Sequence, residues 1–475
     1  MDLKTEKDIE QLRRIAIVLE AQVLLLLKQL AELRKAAGRE DELQLTLDLL
    51  NTLQERALEI QVPPDVRKKP KKPQTGHGPT PQPDLPVVIE IVELDEPDKT
   101  CPSCAGQLEP WAGQFEESEL VDVVKVEYRI VKVKRQKYRC RCGGCVETAE
   151  GGTERVKSGG RYSLAFGAKV AVDKYLDHSP LERQVRTLKR HGLKVTSQSL
   201  WDQIHTVAEE LRPTYNSLLD AIKTRPVIGI DETSWRRLHK GSKSMKGWQM
   251  WGVTAPGAIY HAIRDDKSAE SFIELVGDFE GKIIADAASN HIAGSKGRPI
   301  VMCFCWAHAL RRFRDLEDEL SIVSIPLAFI RQFYEIDKSA DGDLEKLRKL
   351  RHTESRAVAG KLKEWLLANV TLYPKTLNIG KAIRYLLGNW KHFVQFLDDP
   401  WVPLDNNATE RGLRGPVIGR KNHYGSKSKR GTEVAAILYS LLETAKLQGV
   451  NPAEYLAQAI DAARRGEVLL PGNFA

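Results

Sequence analysis

Three carboxylates, each in its own sharply defined segment, are the residues of this sequence best placed to do chemistry. Asp231 stands in VIGIDETSW, Asp286 in GKIIADAAS and Glu410 in LDNNATERGLRG. The first two end apolar, β-prone runs; the third lies in a polar segment with helix signals. A buried strand seldom ends in a bare carboxylate, because an unpaired charge is costly away from water. Carboxylates gathered from separate segments are the usual means of holding Mg²⁺, a hard ion that takes oxygen ligands and keeps several waters. Two such ions clamp the attacking and leaving oxygens of a phosphoryl transfer. The expected chemistry is therefore that of a phosphodiester, with Mg²⁺ or Mn²⁺ held by Asp231, Asp286 and Glu410.

The neighbours of these acids sort by spacing. Glu232 follows Asp231 on a strand, so its side chain points to the opposite face and is not counted as a ligand. Asp405 rivals Glu410, although capping a helix is its simpler role. If residues 406–414 are helical, Asn407, Glu410 and Arg414 share one face at i, i+3 and i+7. A cation would then stand beside the carboxylate, suited to a scissile or flanking phosphate, and Arg411, Arg420 and Lys421 extend the positive surface. Cys303 and Cys305 lie in an apolar strand, where Cys behaves as a small hydrophobe. His308, followed by Arg311 and Arg312, suits a phosphate better than a metal; the alternative is a structural role at a helix start.

The elements that must position these residues begin near residue 225. RPVIGIDETSW, GWQMWGVTAP and AIYHAIRD are three successive strands by their apolar runs and turn residues. A helix (SAESFIELVGDF), a strand (GKIIADAA), a short helix and a strand (RPIVMCFCWAH) follow. This order matches an RNase H-like α/β domain over 223–448, with a helical insertion at 309–403. In that layout one Asp lies on the first, central strand, a second follows the fourth strand, and the third carboxylate comes from a late helix. Residues 449–475 are expected to form a C-terminal helix and tail.

Four further parts precede this domain, so the chain is a multidomain α+β protein. Residues 1–60 carry a leucine-zipper-like coiled coil. Ile9, Ala16, Val23 and Leu30 fall at one core position, and Leu12, Leu19, Leu26 and Leu33 at the other. Residues 61–97 are a Pro-rich linker. Residues 98–150 form a zinc ribbon, with VDVVKVEYRIVKVKRQKYRC as a half-exposed β-hairpin between two cysteine groups. Tetrahedral Zn²⁺ takes four ligands. Cys101, Cys104, Cys142 and Cys145 give two matched CxxC knuckles, with Cys140 as the alternate to Cys142. Lys132, Lys134, Arg135 and Lys137 lie in the densest basic patch of the chain. Residues 151–222 form a helical DNA-binding domain, in which PLERQVRTLKRHGLKVTSQSLWDQI has the pattern of a helix-turn-helix. Its first helix starts at Ser179-Pro180, with Pro at the first helical position. Gly192 makes the turn, Thr196 or Ser197 caps the second helix, and Arg183, Arg186, Lys189 and Arg190 make a basic face.

Composition narrows the class. Lys and Arg total 72 against 64 Asp and Glu, so the net charge of +8 is too mild to imply nucleic acid without the clusters just named. Five of the seven cysteines fall between 101 and 145, which suits metal binding in a reducing cytoplasm better than a disulfide framework. The most apolar N-terminal stretch, IAIVLEAQVLLLLKQL, carries Glu20 and Lys28 in a helical period, so neither a membrane span nor a secretory signal is expected.

Taken in order, the coiled coil, Cys pairs, helical region, IDETSW, ADAASNH, CWAHALRRF and DNNATERGLRGPVIGRKNHYGS resemble the bacterial transposases of the insertion-sequence-66 family. The likeness covers nearly the whole chain and is most specific from Leu404 to Ser426. It implies a DDE-type enzyme whose acidic triad maps onto Asp231, Asp286 and Glu410. Ala287 and Ala288 stand where members typically have a glycine and an aromatic. The resemblance implies cleavage at element ends and strand transfer to target DNA, in a bacterial, nucleoid-associated cytoplasmic protein. The heptad buries its apolar residues only against another helix, so an assembly at least dimeric is expected, with accessory element-encoded proteins as candidate further partners. Two other classes compete: a non-catalytic DNA-binding regulator descended from a transposase, and a structure-specific nuclease. The intact triad favours catalysis, and the coiled coil with separate end-binding modules favours a paired-end complex.

Overall fold

The computed structural model describes residues 127–139, 146–236 and 247–472, with Val23, Leu27, Leu30, Gln44, Ile89, Ile91, Ser103 and Gln107 as single positions. The chain divides into two compact units, one formed by residues 55–127; the account below is of residues 128–472, in the other. The expected coiled coil (Val23, Leu27 and Leu30, all helical, apart), the Pro-rich linker and all five ribbon cysteines lie outside the described residues.

Strands β1 (Lys137–Arg139) and β2 (Val146–Thr148) pair antiparallel, Lys137 opposite Thr148 and Arg139 opposite Val146. This pair is not the hairpin expected within residues 121–140: β2 lies beyond that stretch, and residues 121–126 are outside the described residues. Residues 127–136 form no strand, and Ile130 is 90% exposed. Alternation alone does not make a strand; a ladder needs a partner, and none of the described residues supplies one.

Helices α1 (Leu164–Tyr175), α2 (Leu181–Arg190), α3 (Ser197–Glu210) and α4 (Arg212–Lys223) follow. Pro180 is the N-cap of α2, one residue before the position expected from the sequence. Gly192 turns the chain at φ +83, a conformation open to a residue without Cβ. Thr196 then caps α3, its Oγ1 accepting the Ser199 N–H at 3.1 Å.

The mixed sheet runs β5-β4-β3-β6-β7. Its strands are β3 (Val227–Arg236), β4 (Gly247–Ala255), β5 (Ala258–Arg264), β6 (Gly281–Ala285) and β7 (Ile300–Phe304). β3, β4 and β5 are antiparallel neighbours, while β6 and β7 add in parallel on the other side of β3. Helices α5 (Ala269–Val276) and α6 (Ser289–Ser295) connect the strands on one face. The other face is covered by α13 (Asn407–His423) and α14 (Lys429–Leu447). α14 is buried from Val434 through Ala445, as expected of a helix apolar all round.

The core is continuous across the boundary between the N-terminal helices and the sheet. Tyr175 packs edge-on against Tyr439, and the Tyr215 hydroxyl donates to the His261 carbonyl at 2.8 Å. α15 (Pro452–Arg464) packs on α1 and α3.

Between β7 and α13 lies the helical insertion: α7 (Trp306–Arg314), α8 (Ser324–Ser339), α9 (Leu344–Leu350), α10 (Arg356–Asn369), α11 (Asn378–Gly388) and α12 (Trp390–Phe393). Arg351, 2% exposed, ties it together. Its guanidinium pairs with Asp337 and donates to the carbonyls of Phe396, Asp399 and Val402. Cys303 lies in β7 as expected, whereas Cys305 does not: it has left the strand and is the N-cap of α7.

Candidate active site

The strand register brings the first two acids together. β3 and β6 pair in parallel with Val227 opposite Lys282 and Gly229 opposite Ile284. Asp231 and Asp286 each lie two residues beyond the last pair of this ladder, and the charge of Asp286 is felt at Asp231. Asp286 has passed the end of β6, where the backbone is released toward α6.

The third acid reaches the sheet by close contact of helix and strand. Asn406, 2% exposed, donates its side-chain amide to the Ile230 carbonyl at 2.8 Å and accepts from Thr409 Oγ1 at 2.6 Å. Thr409 in turn is 2.6 Å from Thr254 Oγ1 on β4. Gly229 makes room for this cluster. A Cβ there would collide with Thr409 Oγ1, and would lie 2.5 Å from Thr254 Oγ1 and 2.7 Å from Asn406 Oδ1. Asp405 Oδ1 accepts the Asn407 N–H at 3.1 Å, the capping role expected of it. Glu410 follows in the first turn of α13, where the helix dipole favours a carboxylate.

Electrostatics tie the acids together. Burial pushes the Asp231 carboxyl up to about 7; the Glu232 N–H works against this, and the negative charges of Asp286, Glu232 and Glu410 add to it. Burial also raises Asp286, but the hydrogen bond and charge of His291, the Ala288 N–H and the His308 charge outweigh it and hold this carboxyl below its ordinary value.

His291 is fully buried, with Nδ1 3.1 Å from Asp286 Oδ1 and Nε2 2.9 Å from Glu232 Oε2. Burial opposes its protonation, yet Asp286 and Glu232 raise it to about 9, so the ring is an imidazolium at neutral pH. Glu232 does face away from Asp231, and through His291 it supports the second acid from behind.

Glu410 is turned toward α7. Its Oε1 lies 3.8 Å from His308 Nδ1 and its Oε2 3.9 Å from Arg311 Nη2. Both separations are too long for hydrogen bonds, and Glu410 Oε1 and His308 Nδ1 are buried atoms without a hydrogen-bond partner. Cys305, His308 and Glu410 bring their ligand atoms within 4.8 Å of one another, the one group of metal-ligating side chains this tight among the described residues. The three acids are therefore not drawn into a single cage of that size.

Residues 159–434 match the transposase IS66 family. The chain belongs to that family. It is 30% identical to the uncharacterized protein y4jD of Sinorhizobium fredii, over 100% of this chain and 98% of the relative. It is also 29% identical to y4qI of the same organism, over 86% of this chain and 79% of the relative.

The basic residues of this IS66-family chain fall in three places. Lys132, Lys134 and Arg135 are exposed on the extended segment before β1, and Lys137 within it. Arg183, Arg186, Lys189 and Arg190 are exposed along α2, whose buried side holds Gln184 and Leu188. Arg411, Arg414 and Lys421 are exposed on α13, where Asn407 is half-buried and Arg420 donates to Ser234 Oγ at 3.0 Å. The cation nearest Glu410 is Arg311 of α7 rather than Arg414. Sequence reasoning missed His291, Asn406 and the place of Cys305 at the site. The signal for the first two was present, since ADAASNH and LDNNATE each put polar residues at or near the start of a helix.

Proposed function

We propose that this IS66-family protein is an active DDE-type transposase whose triad is Asp231, Asp286 and Glu410. One observation supports the reading: β3 and its parallel neighbour β6 both lead into a carboxylate two residues past their last paired residues, and Asn406 holds the helix with the third acid against β3. A carboxyl whose proton affinity is raised by two neighbouring acids, as that of Asp231 is by Asp286 and Glu410, suits a divalent cation, and oxygen donors suit Mg²⁺ or Mn²⁺. A buried Glu410 oxygen without a partner fits the same demand. Bound there, the metal pair supplies activation of water and stabilisation of the leaving oxygen.

The remaining work falls to the chain. In such a site Asp231, Asp286 and Glu410 would hold the ions, with Asp231 unprotonated and Glu410 turned away from His308. His291, backed by Glu232, fixes the orientation of Asp286. Arg311 and the exposed cations of α13 bind phosphates flanking the scissile bond. Hydrolysis at the element end frees a 3′-OH, which then attacks a phosphodiester of target DNA at the same site. The basic faces of α2 and the residue 132–137 segment grip the element end, and self-association of the chain holds two ends together. A strand-transfer assay with a fragment carrying the element's own ends tests this. Joined products in Mg²⁺ are expected from the wild type. Binding without cleavage would instead make the protein a regulator, and cleavage without joining a nuclease.

A further inference from the structure

We propose that Cys305, His308 and Glu410 form a second metal site, which takes a thiophilic divalent cation of the Zn²⁺ class and withholds Glu410 from the other two acids while it is filled. The withholding rests on the triad reading above; the site itself does not.

The geometry is close to that of a filled site. Zinc holds sulfur at about 2.3 Å and nitrogen or oxygen at about 2.0–2.2 Å, so tetrahedral ligand atoms stand roughly 3.3–3.7 Å apart. Here all three atoms lie within 4.8 Å of one another, and His308 Nδ1 is 3.8 Å from Glu410 Oε1. Those two atoms are buried without a hydrogen-bond partner, a costly arrangement that a cation between them relieves. Arg311 faces the other oxygen of Glu410, which leaves Oε1 free for an ion.

Burial pushes the Cys305 thiol up to about 11, so it is a thiol without metal, and a bound thiophilic cation would take the place of its proton. Cys305 is a free cysteine at the N-cap of α7, where unsatisfied N–H groups and the helix dipole favour negative charge. Its sulfur accepts the Asn406 N–H at 3.2 Å, a support of the kind that orients metal ligands. His308 and Glu410 are each about a quarter exposed, so an ion has a way in. The donor set decides its class. Thiolate, imidazole and one carboxylate suit a borderline-soft ion, whereas Mg²⁺ prefers oxygen alone. Three protein ligands also leave a fourth position for water or a phosphate oxygen.

Exclusion follows from one shared side chain. Glu410 cannot hold an ion with Cys305 and His308 and also turn toward Asp231 and Asp286. Zinc at this site therefore favours the disengaged arrangement and opposes Mg²⁺-dependent chemistry.

The test compares full-length wild type with Cys305→Ser and His308→Gln. After equilibration with Zn²⁺ and removal of free ion, elemental analysis is expected to find one more zinc per chain in the wild type than in either variant. The difference decides, because cysteines 101–145 are unchanged in all three. Equal zinc content overturns the site. His308 is partly exposed whereas Cys305 is fully buried, so His308→Gln gives the answer even if the Cys305 variant fails to fold. In the second arm Zn²⁺ is titrated into Mg²⁺-supported cleavage. The half-inhibiting concentration is expected to rise about tenfold or more in His308→Gln. Equal inhibition of both proteins overturns the exclusion. Absence of cleavage by the wild type at any zinc level would count against the triad reading, while the zinc difference still decides the site.

Discussion

The side-chain amide of Asn406 donates to the carbonyl of Ile230, one residue before Asp231, across 2.8 Å. This bond fixes where the start of α13 meets the central strand, and so where Glu410 begins. Asn406→Ala removes the amide donor to that carbonyl and leaves the Thr409 hydroxyl with Thr254 alone, at a cost of about 1–3 kcal/mol. Gly229→Ala, which presses a methyl into the same cluster, is expected to cost a similar ~1–3 kcal/mol. Denaturant unfolding checks both; a Gly229→Ala protein as stable as wild type would contradict the close contact.

Asp231→Asn, Asp286→Asn and Glu410→Gln are each expected to abolish Mg²⁺-dependent cleavage of element ends. Binding of those ends in a gel shift is expected to survive, because basic residues supply most phosphate affinity. Full cleavage by Glu410→Gln would remove that residue from the triad.

His291→Gln keeps a hydrogen-bonding side chain but loses the charge that faces Asp286. The expected result is a fall of about 10–100-fold in Mn²⁺ affinity with the fold retained, the size usual for partners behind a metal ligand. Glu232→Gln is expected to move affinity the same way by less. Calorimetric titration of the metal-free protein reads both, and unchanged affinity in His291→Gln would dismiss the positioning role.

Two shifted groups give the metal-free protein a defined pH dependence. Asp231 is raised to about 7, so the folded state holds a proton that the unfolded chain releases near 4; the resulting penalty grows as pH rises from about 4 to about 7. His291 is raised to about 9, so its contribution is complete below about 6.5 and lost as pH rises through about 9. Asp231→Asn is therefore expected to melt above the wild type at pH 8 without metal, with the gap closing toward pH 4. Mg²⁺ is expected to protect the wild type more at pH 8 than at pH 6, because binding displaces the Asp231 proton. A gap that does not change with pH would refute the assignment.

The sequence located all three acids on the expected kinds of element, because a carboxylate at the end of an apolar run is a local signal. The strand order around β3 was legible for the same reason. What surrounds the acids was not. His291 meets Glu232 across 59 positions, and Asn406 meets Cys305 across 101. No spacing rule reaches that far. Cys305 is as buried as a small hydrophobe should be, but the apolar run continues one position past the end of β7 and so hid its place at the start of α7. The basic stretch before β1 misled in the opposite sense, since its alternation is faultless and its partner strand is missing among the described residues.

The two ends of the helical insertion meet at one point. The Trp306 N–H donates to the Leu404 carbonyl at 2.9 Å, and the Asn406 N–H to Cys305 Sγ. The insertion is thus a closed detour, entered and left through a gap one hydrogen bond wide. His308 stands just inside the entrance and Glu410 just beyond the exit. The approach of Glu410 to His308 thus spans this neck, one partner belonging to the insertion and the other to the helix that covers the sheet.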